Sequence, residues 1–183
     1  MQRRRARRTL LLIFLVAAAP IIAAYLAFFF WKPAAGANYG ELVQPPRALD
    51  VGQFHTLHAA ASGQPADAPA LRGHWLLAYV GPGACDAACV QNVYYTRQVR
   101  LAQNKEVDRV QRVWLVTDGA APQVAALDDA PLVAHVGDSL AGEAGRIVLI
   151  DPQGNLMMRF PADADPKRMI KDLQRLLKYS RAG

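Results

Sequence analysis

The sequence predicts an α/β domain with a mixed β-sheet and flanking helices, preceded by one N-terminal transmembrane helix. The first observation is a run of 23 residues, Thr9 to Trp31, that contains no charged residue. The second is the order of the later segments: strand, helix, strand, a variable stretch, β-hairpin, helix. A β-α-β unit followed by β-β-α implies a sheet with parallel and antiparallel neighbours and helices on both of its faces.

The apolar run is long enough to cross a bilayer. At about 1.5 Å per residue it spans roughly 34 Å, and the hydrocarbon core is about 30 Å thick. Five arginines lie in residues 1–8, and one lysine, Lys32, follows the run. The positive-inside rule therefore predicts a cytoplasmic tail at 1–8, a membrane helix at 9–31 and a domain across the membrane.

A cleaved signal peptide is the alternative interpretation, because the small residues Ala34 to Ala37 resemble a cleavage site. The apolar core of a signal peptide is normally about 7–15 residues long, so the longer run favours an uncleaved anchor. A buried helix of a soluble domain would not explain the arginines.

The net charge of +6 comes mostly from the N-terminal tail. Residues 32–183 carry 16 basic and 15 acidic residues. This total gives no sign of a phosphate-binding face, so we do not expect nucleic acid as a partner. We expect residues 32–50, with their prolines and glycines, to form an extended tether, and the domain to occupy residues 51–183.

Each element of the domain has a local signal. Apolar runs or alternation predict strands at 53–57, 75–80, 110–117, 131–136, 146–150 and 156–160. Helical spacing predicts a helix at 86–104, with an apolar face formed by Val90, Val93, Tyr94 and Leu101. The segment 151–154 predicts the turn of a hairpin. Asp165 is a good N-cap for a final helix, because Pro166 and apolar residues at helical spacing follow it.

Cys85 and Cys89 carry the clearest chemical signal, because they are four residues apart where a buried strand gives way to a helix. Backbone N–H groups and the macrodipole at a helix N-terminus stabilise a thiolate, the form that attacks disulfides and binds metals. Residues i and i+4 share one helix face, so two sulfurs there can form a disulfide or bind Cu(I). A structural bridge is the alternative, but a loop of about five residues gains only about 2 kcal/mol. An oxidising compartment outside the cytoplasm permits a disulfide.

Other candidate ligands are sparse. Each histidine is more often a surface or hydrogen-bonded residue than a ligand; the four are His55, His58, His74 and His135. Two soft methionines, Met157 and Met158, are predicted to pack within a hairpin strand. Three aromatic residues are predicted to be core or partly buried; they are Tyr94, Tyr95 and Trp114.

The segments FHTL, LRGHWLLAYVGPGACDAAC, RVWLVTD and RIVLIDPQGNLMMRF resemble those of the Sco/SenC proteins, over about residues 51–179. These proteins are membrane-tethered copper chaperones that assemble the binuclear copper centre of cytochrome c oxidase. The resemblance implies a thioredoxin-like fold, a role in oxidase assembly and a copper site at Cys85 and Cys89. It also implies anchorage in a bacterial inner membrane, with the domain in the periplasm.

The chain departs from this family in two ways. Asp86 and Val90 follow the two cysteines, where the family usually has proline. Glu143 stands where the family has a histidine as its third copper ligand, and no histidine follows His135. A carboxylate is a poor ligand for Cu(I). The chain therefore resembles a divergent member that lacks the copper-ligand histidine, with His135 as a remaining candidate ligand. We expect Glu143 to be a solvated loop carboxylate.

Three functional hypotheses follow from the residues and the resemblance. In the first, the chain is a thiol–disulfide oxidoreductase, in which Cys85 attacks and Cys89 resolves the mixed disulfide. Its partner would be a respiratory oxidase subunit or an assembly factor. In the second, the two cysteines carry Cu(I), with a third ligand from His135, a methionine or the partner. In the third, the fold is only an assembly scaffold. The missing histidine favours thiol exchange.

Overall fold

The computed structural model describes residues 2–30, 38–58, 71–123, 127 and 130–180. The chain divides into two compact units, Met1–Ala37 and Asn38–Gly183. Helix α1, Gln2–Phe30, belongs to the first unit. By length and composition, its segment Arg7–Phe29 is able to cross a membrane. The predicted N-terminal apolar helix is therefore present, although Trp31 lies outside the described residues.

Within the described residues of the second unit, seven strands form one sheet in the order β1-β7-β6-β3-β4-β5-β2. The strands are β1 Glu41–Ala48, β2 His55–His58, β3 Trp75–Gly81, β4 Val110–Val116, β5 Leu132–His135, β6 Arg146–Ile150 and β7 Asn155–Arg159. Strands β3, β4 and β5 are mutually parallel, and the other neighbours are antiparallel. The predicted mixed sheet is confirmed.

The sheet separates two apolar clusters. Helices α2 (Ala87–Leu101) and α3 (Pro166–Tyr179) pack on one face, against alternate β3 residues such as Leu77. The intervening β3 residues, such as Leu76, belong to the cluster on the other face, which includes Phe54 and Leu140. Among the described residues, that second face is covered by short 3-10 segments, at Val51–Gln53 and Gly137–Glu143, and not by the α-helix that the sequence predicts there.

Strand β1 departs from the predicted tether. Residues 41–48 pair antiparallel with β7, with Leu42 opposite Met158 and Ala48 opposite Asn155. Pro45 lies within β1, and an edge strand tolerates proline because one side of its backbone has no neighbouring strand. The described part of the domain therefore begins at residue 38 rather than 51. Residues 32–37 of the predicted tether lie outside the described residues.

The two domain helices match their predictions to different degrees. In α3, Asp165 is the N-cap and Pro166 the first helical residue, as predicted. In α2, Val93 is buried, whereas Tyr94 and Leu101 are each 50% exposed. The predicted apolar face of α2 is therefore confirmed at Val93 and wrong at Tyr94 and Leu101. The buried positions of α2 are Cys89, Asn92, Val93, Thr96 and Val99.

Candidate functional site

Cys85 lies in the turn between β3 and α2, and Cys89 lies in the first turn of α2. Strand β3 is central in the sheet and is buried along its whole length. Asp86 caps α2, because its carboxylate accepts the backbone N–H of Cys89 at 2.8 Å. The strand therefore fixes one cysteine, and the capped helix fixes the other.

The two cysteines form a disulfide, with their Cα atoms 5.1 Å apart. Cys89 is 1% exposed and belongs to the apolar cluster beneath α2 and α3. Cys85 is only partly buried and packs at the margin of that cluster. Because of this difference in burial, a thiol that approaches from solvent meets the sulfur of Cys85 before that of Cys89.

The loop after β4 holds the cysteine-bearing turn in place. The Gly83 N–H donates to the Asp118 carboxylate at 2.9 Å, and the Gln123 N–H donates to the Gly83 carbonyl at 3.1 Å. A Cβ atom on Gly83 would lie 2.4 Å from the carbonyl oxygen of Ala120. Only glycine fits there without a backbone shift, and Asp118 acts as a positioning residue.

Tyr79 lies beneath the same turn. It is 3% exposed, and a Cβ atom on Gly81 would come within 2.8 Å of its hydroxyl oxygen. Burial, and secondarily the negative charge of Asp86, raise the pKa of Tyr79 above its ordinary value. The phenol is therefore neutral at physiological pH, beside the disulfide-bearing turn.

The negative charge of Asp86 bears on the predicted stabilisation of a thiolate. A free helix N-terminus attracts a thiolate, but the Asp86 carboxylate already occupies the cap of α2. A thiolate at the adjacent Cys85 would experience repulsion from this carboxylate. The favourable effect of the helix is thus partly offset by the carboxylate of Asp86, which stands where Sco/SenC proteins usually have proline.

Sequence reasoning did not identify Tyr79 or Asp118 as site residues, although each has a recognisable signal. Tyr79 is a hydroxyl-bearing residue in an aliphatic strand that ends just before the cysteines. Asp118 follows the buried strand β4, which is parallel to β3, so their carboxyl ends meet at one edge of the sheet.

The structure places His135 in a separate group of residues from the cysteines. His135 is opposite His55 in the β2–β5 register, and its Nδ1 donates to the Val116 carbonyl at 3.1 Å. Both histidines line an open cleft of about 630 Å³. In the sheet register, His135 lies in one row with Gly81, two strands away, which corresponds to roughly 10 Å.

The remaining histidines and the predicted core residues lie elsewhere in the domain. His74 precedes β3, at the end of that strand opposite to the cysteines, and its Nδ1 lies 3.3 Å from the Arg72 carbonyl oxygen. Met158 and Trp114 are buried in the core, as predicted. The side chain of His58 lies outside the described part of the structure.

The prediction for Glu143 is wrong, because this residue is 5% exposed rather than solvated. One carboxylate oxygen lies 3.3 Å from Nη1 of Arg159. The Nε atom of the same arginine lies 3.0 Å from a carboxylate oxygen of Glu41. The hydrogen bond that Arg159 donates to Glu41, and then the charge of Glu143, raise the pKa of Arg159 above its ordinary value. The other oxygen of Glu143 has no hydrogen-bond partner among the described residues.

These positions do not provide the third copper ligand that Sco/SenC proteins have and that this sequence lacks. Glu143 is paired with an arginine, and His135 is paired in register with His55. Among the described residues, no group of three or more His, Cys, Asp or Glu side chains is arranged to hold a metal ion. Among the residues that the structure describes at this turn, the donors for a soft ion are the two cysteine sulfurs, once they are reduced.

Solved structures share this fold at low sequence identity. The solution structure of apo Sco1 protein from Thermus thermophilus has 17% identity, a TM-score of 0.52, and coverage of 79% of this chain and 99% of that one. The crystal structure of Arabidopsis thaliana ScoI with copper bound has 11% identity, a TM-score of 0.50, and coverage of 71% and 99%. No curated protein matches the chain in sequence. The structural likeness establishes the thioredoxin-like fold.

A family model gives the assignment. The model described as "Transmembrane-like, thioredoxin-like, C-terminal domain" matches residues 75–180, from the first residue of β3 to the residue that follows α3. This match covers more than half of the 183 residues, including both cysteines. The chain therefore belongs to the transmembrane-like, thioredoxin-like C-terminal domain family.

Proposed function

We propose that this chain is a membrane-anchored thiol–disulfide protein that serves the assembly of the copper centre of cytochrome c oxidase. The observation that carries the proposal is the Cys85–Cys89 disulfide, which has one accessible and one buried cysteine. A bridge across so short a loop contributes only about 2 kcal/mol to stability. The hydrogen bond from Gly83 to Asp118 already holds the turn in place, so a purely structural role does not explain the cysteine pair.

The proposed exchange moves two electrons from the reduced pair to a target disulfide. The Cys85 thiolate attacks one target sulfur, which forms a mixed disulfide and releases the other target sulfur as a thiolate. The Cys89 thiolate then attacks the Cys85 sulfur, releases the second target thiolate and closes the Cys85–Cys89 bond. An upstream dithiol must reduce the pair again before the next cycle.

The proposed location follows from α1 and its charges. The arginines that precede the apolar segment favour a cytoplasmic N-terminus and a periplasmic domain on a bacterial inner membrane. In this arrangement the reduced pair keeps the cysteines of an oxidase copper site reduced for metal loading. The likeness to Sco proteins supports this target.

Complementation of a strain that lacks the protein tests the role. We expect a Cys85→Ser, Cys89→Ser double variant to lose oxidase activity and oxidase copper, and a His74→Ala control to retain both. Full support of both readouts by the double variant would show that the fold acts only as a scaffold.

Single cysteine variants test the order of attack. Cys89→Ser removes the resolving thiol, so we expect its Cys85 to remain bound to the target in a mixed disulfide. Cys85→Ser leaves only the buried cysteine and should trap far less. Non-reducing gels followed by mass spectrometry of the trapped species measure this difference and identify the partner; equal trapping by both variants would contradict the assigned order.

Carriage of Cu(I) is the second candidate function. The Cα separation of 5.1 Å places two soft sulfurs within reach of one ion after reduction. Here copper is the cargo, and a third ligand comes from the partner. Copper titration of the reduced domain tests this function, because binding no tighter than that of Cys85→Ser would exclude it.

A further inference from the structure

The net charge of the globular unit is near zero, but its basic and acidic residues are distributed unevenly. In residues 38–183 there are fifteen basic and fifteen acidic residues. Helix α3 alone carries five of the basic residues and one of the acidic residues. The rest of the unit therefore has ten basic and fourteen acidic residues, so α3 is a cationic element on an otherwise acidic domain.

The positive charges of α3 are on its surface. All five basic side chains are exposed; they are Lys167, Arg168, Lys171, Arg175 and Lys178. The one acidic residue, Asp172, is 4% exposed and faces the interior. Residues 167, 171, 174 and 178 follow helical spacing along one stripe, so the lysines among them line a single face. Tyr179, at the end of the helix, is 78% exposed.

The N-terminal residues of the domain are hydrogen-bonded to helix α3. The buried Asp172 carboxylate accepts the N–H groups of Tyr39 and Gly40, at 2.7 and 2.8 Å. The Arg168 guanidinium lies 4.0 Å from the centre of the Tyr39 ring. Seven residues of sequence separate Phe30, the last residue of α1, from Asn38. The first residues of the domain that the structure describes after α1 therefore contact α3.

We propose that the exposed face of α3 binds the surface of a bilayer that contains anionic phospholipids. This inference rests on the proposed membrane anchorage, which brings the domain to a lipid surface. Flexible lysines with no exposed acidic residue among them suit a diffuse layer of phosphate headgroups. An exposed tyrosine at the end of the helix suits the interfacial region, where aromatic residues are enriched. The acidic remainder of the domain is repelled by the same surface, which orients it away from the bilayer.

Vesicle sedimentation with the isolated domain, residues 38–180, tests the proposal without the anchor. Both apolar clusters lie within these residues, so this part of the chain has its own core. We expect binding to vesicles of phosphatidylcholine with phosphatidylglycerol, loss of binding to phosphatidylcholine alone, and weakening by salt. Removal of three cations in Lys167→Gln, Lys171→Gln, Lys178→Gln should weaken partitioning roughly 100-fold, at about fivefold per cation.

A scattered triple variant with the same change of net charge is the matched control. Arg72→Gln, Lys105→Gln, Arg146→Gln alters exposed or partly exposed cations outside α3, and we expect at most a few-fold loss of binding. No binding of the unchanged domain to the anionic vesicles, or equal losses in the two triple variants, would overturn the proposal. A Cys85→Ser, Cys89→Ser domain should bind vesicles normally, so failure of the proposed redox function is distinguishable from failure of lipid binding.

Discussion

Helices α2 and α3 begin in the same way but differ in what surrounds the cap. Each is capped by an aspartate, and the carboxylates of Asp86 and Asp165 accept a first-turn N–H at 2.8 and 2.9 Å. At α3, the residue after the cap is Pro166, which favours helix initiation. At α2, Cys85 precedes the cap and Cys89 donates the capped N–H.

This difference separates a helix start that serves stability from one that also carries chemistry. At the start of α3, the N-cap residue Asp165 and the first helical residue Pro166 both favour helix initiation. At α2, a reducible bond, a buried phenol and a carboxylate that repels thiolates are brought together. Variants at the two helices should therefore change different measurements.

The largest expected effect is on stability, at α3. Leu173 is 1% exposed in the cluster beneath α2 and α3. Its replacement by alanine should lower the free energy of unfolding by about 2–5 kcal/mol. Urea denaturation measures this loss, with the exposed Lys171→Ala as control, expected within about 0.5 kcal/mol. We expect the reduction potential of the folded fraction to stay unchanged. A shift in this potential would contradict the claim that α3 affects stability but not the disulfide at the start of α2.

The next effect is at the turn before α2. Gly83→Ala forces a Cβ atom against the Ala120 carbonyl, so either backbone must move. We expect a loss of about 1–3 kcal/mol together with a changed rate of disulfide reduction. Gly119→Ala is the control, because no atom lies within 4 Å of its new Cβ. Equal behaviour of both variants in denaturation and in reduction by dithiothreitol would show that the turn is not clamped.

The two caps allow a direct comparison of charge. Asparagine caps a helix about as well as aspartate, so Asp86→Asn should remove the repulsion of a Cys85 thiolate with little loss of stability. Alkylation of the reduced pair at neutral pH should accelerate about fivefold, which corresponds to roughly 1 kcal/mol for charges about 4 Å apart in water. Asp165→Asn, at the helix without cysteines, should leave the alkylation rate unchanged. Equal alkylation rates in the two variants would contradict the proposed repulsion of the Cys85 thiolate by Asp86.

The smallest effect concerns Tyr79 and alkaline pH. Its pKa is raised in the folded protein, so the phenol of the unfolded chain, with a pKa of about 10, ionises first. The stability that this residue contributes is present below pH 10 and is lost as the pH rises through the folded pKa. In urea denaturation at about pH 8 and about pH 11, Tyr79→Phe should lose less stability than the unchanged domain. An identical loss would show that Tyr79 does not titrate with folding.

The same pair of helices shows how far the sequence predicts the structure. The periodicity of α3 is strong, and its cap and first residue are as predicted. In α2, Asn92 and Thr96 are buried because their side chains donate to backbone carbonyls of the same helix, at Ala88 and Val93. Such local bonds allow polar residues into the core, and an apolar pattern does not reveal them.

Two further departures have long-range causes. Glu143, at the end of a 3-10 segment, is buried because Arg159 of strand β7 reaches its carboxylate. Strand β1 was hidden by its prolines, which are compatible with a sheet only at an edge. By contrast, the cysteine pair at a strand–helix junction was visible in the sequence, since the buried β3 and the turn residues mark that junction locally.

The reduction potential of the Cys85–Cys89 pair, measured by equilibration with glutathione and dithiothreitol, tests the central claim most directly. A thiol-exchange pair should have a potential between about −200 and −270 mV and should exchange readily with a partner dithiol. A potential below about −300 mV, with no exchange, would identify an inert structural bridge and contradict the proposed function.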